Sequence, residues 1–507
     1  MPPPAGAAML TDDLHAHADA RPDHEALVHG DERVTWADFA DRVDRLAHGL
    51  SAIGIGAGDP LALLLPNSPA FVVSFMAIGA IGAVVVPINP LFKRDELEYS
   101  FRNSGVRAVI ADEGAIAVCE PIAERLGDAV RLISTGAERG RVLAYDRLVA
   151  EHAGPRLPAR TAGEDVVFMY SSGSTGRPKR VARTHGQLWA EADSYRVAMD
   201  ITPDDRIFCA IPLFHTYGMG NCLTTLVRTG STLVIMEEPN PFILHRERAL
   251  RLLERERATI FPGVPFNFRL LGDLDATADL SSLRLSYSAG TALPRSAFEA
   301  FLDRYGVAVR QLYGSTETGV MTINVDPDPV ATSASVGTPA PGLRAKVVDD
   351  DGLSLPPGEE GEIAVSGPAV ARGYADDEEQ TRAAFHDGHY FTGDLGHIDA
   401  EGRVFITGRK KLFIEVAGHK VDPVEVEDVL AEHPKVREAV VVGVRGRAEG
   451  DEIVKAAVVA VDGCEQRELI SFCRERLANF KVPQIVEFRE EIPKSPLGKI
   501  LRKYLIE

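Results

Sequence analysis

Cysteine is scarce. Five occur in 507 residues (Cys119, Cys209, Cys222, Cys464 and Cys473), odd in number, scattered, and without a Cys-x-x-Cys pair. A disulfide scaffold is thereby excluded, and a zinc knuckle or dithiol redox motif has no ligands. Reduced, mostly buried thiols are expected instead. Positive charge is also in deficit, with 55 Lys+Arg against 74 Asp+Glu and a formal net charge of −19. That balance argues against a nucleic-acid partner or a general anionic-membrane binder, since either needs a basic face. Long apolar runs are missing too. The most apolar stretch, Phe71 to Val86, is shorter than a membrane span, contains Ser74, Gly79 and Gly82, and stops at Pro87. It reads as a buried helix leading into a core strand. The opening Met-Pro-Pro-Pro-Ala-Gly-Ala-Ala lacks the basic and apolar regions of a signal peptide. A soluble, cytoplasmic protein with no membrane span is the expectation.

What is present is a chain 45% hydrophobic and 25% charged, ample for a large core and for two to four domains. Short Val/Ile/Leu runs alternate with amphipathic stretches and no internal repeat appears, which predicts an α/β protein rich in parallel sheet. Val166-Val-Phe-Met169, Leu283–Tyr287 and Val307–Leu312 are predicted strands, each running into a Gly-containing loop. Ligand sites of such sheets gather in the loops at the carboxyl ends of strands. Arg246–Arg257 reads as a charged helix with Ala249, Leu250, Leu252 and Leu253 inward and a Glu247/Arg251 pair outward. Pro339–Gly361 is loaded with Pro, Gly and Asp, as hairpins or a junction require. After Gly408 the composition changes again. Strands at Ala439–Val444 and Ile453–Val461 flank a helix that places Leu469, Ile470, Cys473 and Leu477 on one face. The expected architecture is a large multi-subdomain N-terminal domain of mixed, largely parallel sheets, residues 1–410, and a small α+β C-terminal domain, residues 411–507.

The segment Tyr170-Ser-Ser-Gly-Ser-Thr-Gly-Arg-Pro-Lys179 carries the most chemistry. Gly173 and Gly176 permit a tight loop whose backbone N–H groups face phosphate oxygens; Ser171, Ser172, Ser174 and Thr175 add hydroxyl donors and Lys179 a cation. It is not the Gly-x-x-x-x-Gly-Lys-Ser/Thr P-loop. Pro212-Leu-Phe-His-Thr-Tyr-Gly218 sets a histidine in an aromatic-rich turn. Tyr313-Gly-Ser-Thr-Glu317 follows a strand and offers a flat ring for a base and a carboxylate for a hard cation. Tyr390-Phe-Thr-Gly-Asp394, Thr407-Gly-Arg-Lys-Lys411 and Pro493-Lys-Ser-Pro-Leu-Gly-Lys499 follow in that order.

In wording and order these motifs resemble the class I adenylate-forming superfamily of acyl- and aryl-CoA synthetases, stand-alone adenylation domains and beetle luciferases. The resemblance runs from Val34-Thr-Trp-Ala-Asp-Phe39 to the Lys499 loop. It implies a mobile C-terminal domain and a reaction that couples a carboxylic acid to ATP with Mg2+, yielding an acyl-adenylate and pyrophosphate before a thiol takes the acyl group. It further implies that the 171–179 loop holds the β- and γ-phosphates, that Thr175 and Glu317 are metal-associated, and that Tyr313 stacks on adenine beside Gly314 and Thr316. Gly290-Thr291-Ala292 would line the adenine site. Asp394 would meet the ribose hydroxyls near Arg409, and Lys499 would reach both the carboxylate and the α-phosphate. Lys411 matches the hinge. Rotation about it would withdraw Lys499 and bring in Val416-Ala-Gly-His-Lys420, with Gly418 contacting pantetheine and Lys420 a phosphate.

Relatives that activate amino acids carry an aspartate after Pro-Leu to receive the ammonium; this chain has His215, Thr216, Tyr217 and Gly218 there. His215, Tyr217, Gly218, Phe261–Val264, Asn267, Ser288, Gly290 and Gly314 are read as lining for a fatty, aryl or arylacrylic acid. Two departures stand out. Arg180 replaces the usual glycine after Lys179 and adds a cation beside the loop. Glu415 stands where many relatives place a lysine, for which Lys420 is expected to compensate. The acceptor is read as coenzyme A, the alternative being the phosphopantetheine of a separate acyl carrier protein acting in trans; a catalytically dead binding relative is the reading from another class. Sparse positive charge is expected at the loop (Arg177, Lys179, Arg180, Arg183) and on the hinge and lid (Arg409, Lys410, Lys411, Lys494, Lys499), where a small phosphorylated ligand needs it.

Overall fold

The computed structural model describes residues 9–127, 130–158, 160–171, 179–237, 242–375, 377–410, 414–416, 419–421, 423–445, 452–477, 479–494 and 500–506. They fall into two compact units, 1–345 with 365–390, and 346–364 with 391–507. The segments 346–364 and 391–410 thus group with the C-terminal hundred residues.

Among the described residues the first unit is built on two sheets. One runs Val142–Ala144, Arg131–Ser134, Ala108–Ala111, Pro60–Leu64, Val84–Pro87, Asp165–Ser171, Lys179–Thr184. Its pairs are parallel except the last, an antiparallel hairpin. Strands such as Val84–Pro87 and Ala108–Ala111 are buried at every position, which explains their unbroken apolar runs. The stretch Phe71–Val86 divides as its composition suggests. A helix, Pro69–Ala80, begins at Pro69, with the Ser68 hydroxyl accepting from Phe71 N, and the strand Val84–Pro87 follows.

The second sheet has the order Thr338–Pro339, Gly319–Ile323, Val309–Ser315, Leu285–Ser288, Ile260–Gly263, Arg206–Cys209, Thr232–Ile235, Glu25–His29, Glu32–Thr35. Its central strands are parallel. Against it lies a row of rings, Phe208, Phe261, Phe268, Phe301 and Tyr305, each centroid 4.9–5.4 Å from the next. The helix Phe242–Arg255 buries Ala249, Leu250, Leu252 and Leu253 and keeps the Glu247/Arg251 pair at the surface, as its periodicity predicts.

The second unit holds the greater part of the strands Arg344–Val348, Gly361–Ser366 and His389–Ile398, and all of Val404–Arg409. A hairpin, Ile414–Val416 with His419–Val421, comes next, then a sheet of Val436–Arg445, Glu452–Ala460 and Ile485–Phe488. The helix Gln466–Arg474 closes that core through Leu469 and Cys473. All five cysteines are free thiols, and four are buried. No helix among the described residues is long and apolar enough to cross a membrane.

His185 opens the helix His185–Ala198, whose capping box joins Thr184 and Gln187. Burial lowers the pKa of its imidazole from 6.5 to about 4. Between those values the unfolded chain binds a proton that the folded chain refuses, so stability falls as pH drops from about 6.5 towards about 4. The shift is equivalent to about 3 kcal/mol. His185→Gln should therefore flatten the acid limb of stability relative to the wild type. Unfolding midpoints measured between about pH 4.5 and about pH 7 check this.

Candidate active site

Four adjacent parallel strands, Arg206–Cys209, Ile260–Gly263, Leu285–Ser288 and Val309–Ser315, point their carboxyl ends the same way. Register sets Gly263 beside Ser288 and Ser288 beside Gln311. The residues that follow the strand ends are the ones singled out in the sequence: His215, Val264, Gly290-Thr291-Ala292 and Gly314–Glu317. Gly290 has φ +92° and is exposed with Thr291 and Ala292, so this turn presents backbone to solvent. Tyr313, Ser315 and Thr316 are half-buried. Gly314 is a steric necessity, because a Cβ there would strike the Gly319 carbonyl oxygen.

Several of these side chains are already committed. His215 Nδ1 accepts from Tyr217 N at 3.2 Å. Tyr217 donates its phenol to Gly263 O at 2.9 Å, and burial pushes its pKa far up, so it bridges two strand ends as a neutral phenol. Gly218 lets the chain pass the Pro212 carbonyl, where a Cβ would collide. Asn267 Oδ1 accepts from Val264 N at 2.9 Å and caps the helix Pro265–Gly272. Phe261, read from sequence as lining, is fully buried in the row of rings. Ser288 is 2% exposed, and its hydroxyl has no hydrogen-bond partner among the described residues. A buried hydroxyl left so costs free energy unless a ligand or water satisfies it.

On the other sheet the antiparallel hairpin sets Ser171 opposite Lys179. The expected phosphate-loop residues Ser172, Gly173, Ser174, Thr175, Gly176 and Arg177 lie outside the described residues. The hairpin runs from strand to strand, unlike the strand–loop–helix of a P-loop. Lys179 Nζ sits 4.5 Å from the Tyr374 ring centroid, and the Tyr374 hydroxyl donates to Glu317 Oε1 at 3.0 Å. The expected phosphate-loop cation and the expected metal-associated carboxylate are thus brought to a single tyrosine.

The other cations expected at the loop serve different ends. Arg180 donates to Asn103 O at 2.8 Å and stacks 4.8 Å from the Phe168 ring centroid, while the Tyr170 phenol donates to Asn103 Oδ1 at 2.7 Å. Arg180 therefore ties the hairpin to the helix Arg94–Ser104. Arg183 is 0% exposed and bonds Glu191, itself 1% exposed, at 2.6 Å. Its Nη2 donates to Ala369 O at 3.0 Å and approaches the Thr318 and Gln187 carbonyls at 3.5 Å. Burial raises the pKa of Glu191, and Arg183 opposes the rise. Backbone crowds the carboxylate: a Cβ at Gly220, in the π-helical turn Met219–Thr224, or at Gly319 (φ +66°) would collide with it. One guanidinium thus joins the hairpin, the helix His185–Ala198, the turn after Glu317 and the 367–371 segment.

Sequence reasoning missed Tyr374 and read Arg183 as one of the cations at the phosphate loop. The available signal was the strand Lys179–Thr184, in which Arg183 takes an inward position beside Val181.

In the second unit Asp394 and Arg409 face each other in register, and Arg409 Nε donates to Asp394 Oδ1 at 2.6 Å. Gly393, at φ +72° within the strand His389–Ile398, precedes Asp394, and its N–H donates to Glu362. Lys410 is paired with Glu362 and Asp350, and Lys494 with Glu438. In the hairpin the backbone register sets Glu415, the departure from pattern, opposite Lys420. Lys411, Gly418 and Lys499 lie outside the described residues.

Truncating one member of a buried pair strands the other. Arg183→Met should cost about 3–5 kcal/mol. Combining it with Glu191→Leu should recover most of the loss, and the unfolding midpoints of wild type, single and double variants check this.

The family model for AMP-binding enzymes matches residues 14–375, and that for the AMP-binding enzyme C-terminal domain matches residues 425–499. A feruloyl-CoA synthase of Amycolatopsis sp is 36% identical over 489 residues, 95% of each chain. ATP-bound MatB from Rhodopseudomonas palustris superposes with a TM-score of 0.88 at 29% identity, covering 98% of both chains. The anthranilate CoA ligase AuaEII in complex with anthranoyl-AMP gives 0.85 at 28%, covering 98% of this chain and 96% of that one. Matched over most of its length by both family models and by a relative 36% identical, this chain belongs to the AMP-binding enzyme family.

Proposed function

We propose that the chain is an ATP-dependent acid–thiol ligase. It joins a carboxylic acid to AMP with release of pyrophosphate, then passes the acyl group to the thiol of coenzyme A in the cytoplasm. The observation that carries this reading is the convergence of Lys179 and Glu317 on Tyr374, at the strand ends where Ser288 and Gly290 also lie. Among fatty, aryl and arylacrylic acids we favour an arylacrylic one. The feruloyl-CoA synthase relative aligns over nearly the whole chain, and no aspartate stands beside His215 to receive an ammonium. The buried Ser288 hydroxyl suits an oxygen of the bound acid.

In the first half-reaction a carboxylate oxygen attacks the α-phosphorus and the bond to pyrophosphate breaks. Two anions must meet, so cations have to hold them together and absorb charge as the pyrophosphate leaves. Lys499 fills that role between carboxylate and α-phosphate, while Lys179 and the backbone of residues 171–176 hold the outer phosphates. Tyr313 stacks on adenine beside Gly314 and Thr316, and the exposed backbone of Gly290, Thr291 and Ala292 lines the base. Asp394 accepts from the ribose hydroxyls, with its carboxylate oriented by Arg409. The hard, buried oxygen donor of Glu317 fits magnesium, which Glu317 and Thr175 would hold and which supplies charge neutralisation on the phosphates. Among the described residues no cluster of three or more His, Cys, Asp or Glu forms a closed metal cage. In the second half-reaction the thiol sulfur attacks the acyl carbon and AMP leaves. We place the hinge at Lys411, between residues 1–410 and 411–507, with Gly418 along the pantetheine route and Lys420 at a phosphate.

A pyrophosphate-release screen across arylacrylic, aryl, fatty and amino acids tests the reading. Arylacrylic acids should turn over fastest and amino acids should stay at background. Lys499→Ala should lower acid-dependent release by about 100- to 1,000-fold, the scale of losing one transition-state charge donor. Release at the wild-type rate in that variant would overturn the assignment. Preference for carrier-bound phosphopantetheine over free coenzyme A would replace the acceptor.

A further inference from the structure

We propose that Tyr374 is a positioning residue of the nucleotide site. It holds the Glu317 carboxylate by its hydroxyl and the Lys179 ammonium by its ring face, so that neither charge consumes the other. The inference rests on the reading above and concerns a residue outside every motif on which that reading was built.

A lysine and a carboxylate in one cleft are strongly attracted, and a direct ion pair would withdraw both from an incoming ligand. Tyr374 gives each a separate partner. Its phenol donates to Glu317 Oε1 at 3.0 Å, a bond to an ionised acceptor and so stronger than a neutral one. Its ring takes Lys179 Nζ at 4.5 Å from the centroid, within cation–π range. Tyr374 is 9% exposed and Glu317 6%, so both contacts lie in a site that water screens weakly.

The backbone that presents Tyr374 is fixed with unusual care. Gly373 has φ +148°, and a Cβ on it would strike the Thr381 side chain. That close approach lets one threonine hydroxyl grip Tyr374 twice: it accepts from Tyr374 N at 2.9 Å and donates to Tyr374 O at 3.2 Å. Residues 374 and 375 also pair with the hairpin, through a bridge to Val181 and a bond from Ala375 N to Arg180 O at 2.9 Å. On the other side Ala371 N donates to Glu317 O at 2.7 Å. Phe385 meets the ring edge-on at 5.5 Å, with Tyr390 beyond it. The 371–375 segment therefore spans the gap between Lys179 and Glu317 and bonds to the chain on both sides.

Two variants separate the two grips. Tyr374→Phe keeps the ring for Lys179 and removes the donor to Glu317. Tyr374→Leu removes both. ATP binding is measured by calorimetry with and without Mg2+, and acid-dependent ATP–pyrophosphate exchange is followed against Mg2+ concentration. For Tyr374→Phe, metal-free ATP affinity should stay within about twofold of wild type. The gain in affinity on adding Mg2+ should shrink, and the Mg2+ requirement for exchange rise, by about tenfold, the worth of a hydrogen bond to a charged group. For Tyr374→Leu, metal-free ATP affinity should fall as well. A residue that merely supports the fold would lower the unfolding midpoint of Tyr374→Phe and leave its Mg2+ dependence at the wild-type value, and that result overturns the inference. Should Tyr374→Leu not fold, the isosteric phenylalanine variant decides alone. Absence of acid-dependent exchange in the wild type would defeat the proposed reaction itself. Exchange in the wild type with unchanged Mg2+ dependence in Tyr374→Phe would defeat only the role of Tyr374.

Discussion

The hairpin, the helix His185–Ala198, the turn after Glu317 and the 367–371 segment meet at a charge pair that water does not reach. Desolvating a guanidinium and a carboxylate costs several kcal/mol per ion, and their attraction offsets this only when geometry is tight and the remaining N–H groups are satisfied. Arg183 and Glu191 meet at 2.6 Å, with the carbonyls of Ala369, Thr318 and Gln187 around Nη2, while Arg183 Nε and Glu191 Oε1 have no hydrogen-bond partner among the described residues. Those carbonyls belong to different segments, so the pair sets the separation of hairpin, helix and turn before any ligand arrives. A hydrophobic pair of similar volume would fill the space without directing three carbonyls. This is the kind of specificity that a buried ion pair gives in exchange for stability.

Much of the architecture was legible because it follows from period and composition. Buried parallel strands announce themselves as unbroken Val/Ile/Ala runs, and the helix Phe242–Arg255 shows its inward stripe directly. Domain edges were harder to read. The change of composition falls at Gly408, while by contacts 346–364 and 391–410 group with the C-terminal residues.

The site was legible as a set of motifs and illegible as a set of contacts. Glycines betray close approach, and Gly218, Gly290 and Gly314 each stand where backbone or an unusual φ requires one. Charges mislead. Arg180 and Arg183 follow Lys179 closely, and their composition suggests three phosphate cations. Strand alternation instead sends Arg183 into the core, and Asn103, far away in sequence, captures Arg180. Tyr374 lies in no motif that spacing would flag, since its importance arises from two partners far from it along the chain.

The crowding around Glu191 has a consequence for how this lineage can vary. Gly220 and Gly319 come from separate loops, yet both are glycine because one carboxylate occupies the space where their side chains would begin. A Cβ at either position would collide with the Glu191 carboxylate; a shorter residue at 191 would clear the space at Gly220, whereas Gly319, at φ +66°, would still favour glycine, and Arg183 would lose its partner. Glu191 is thus bound on one side to Arg183 and bounded on the other by two glycines from separate loops, so a change at any of the four positions is felt at the others.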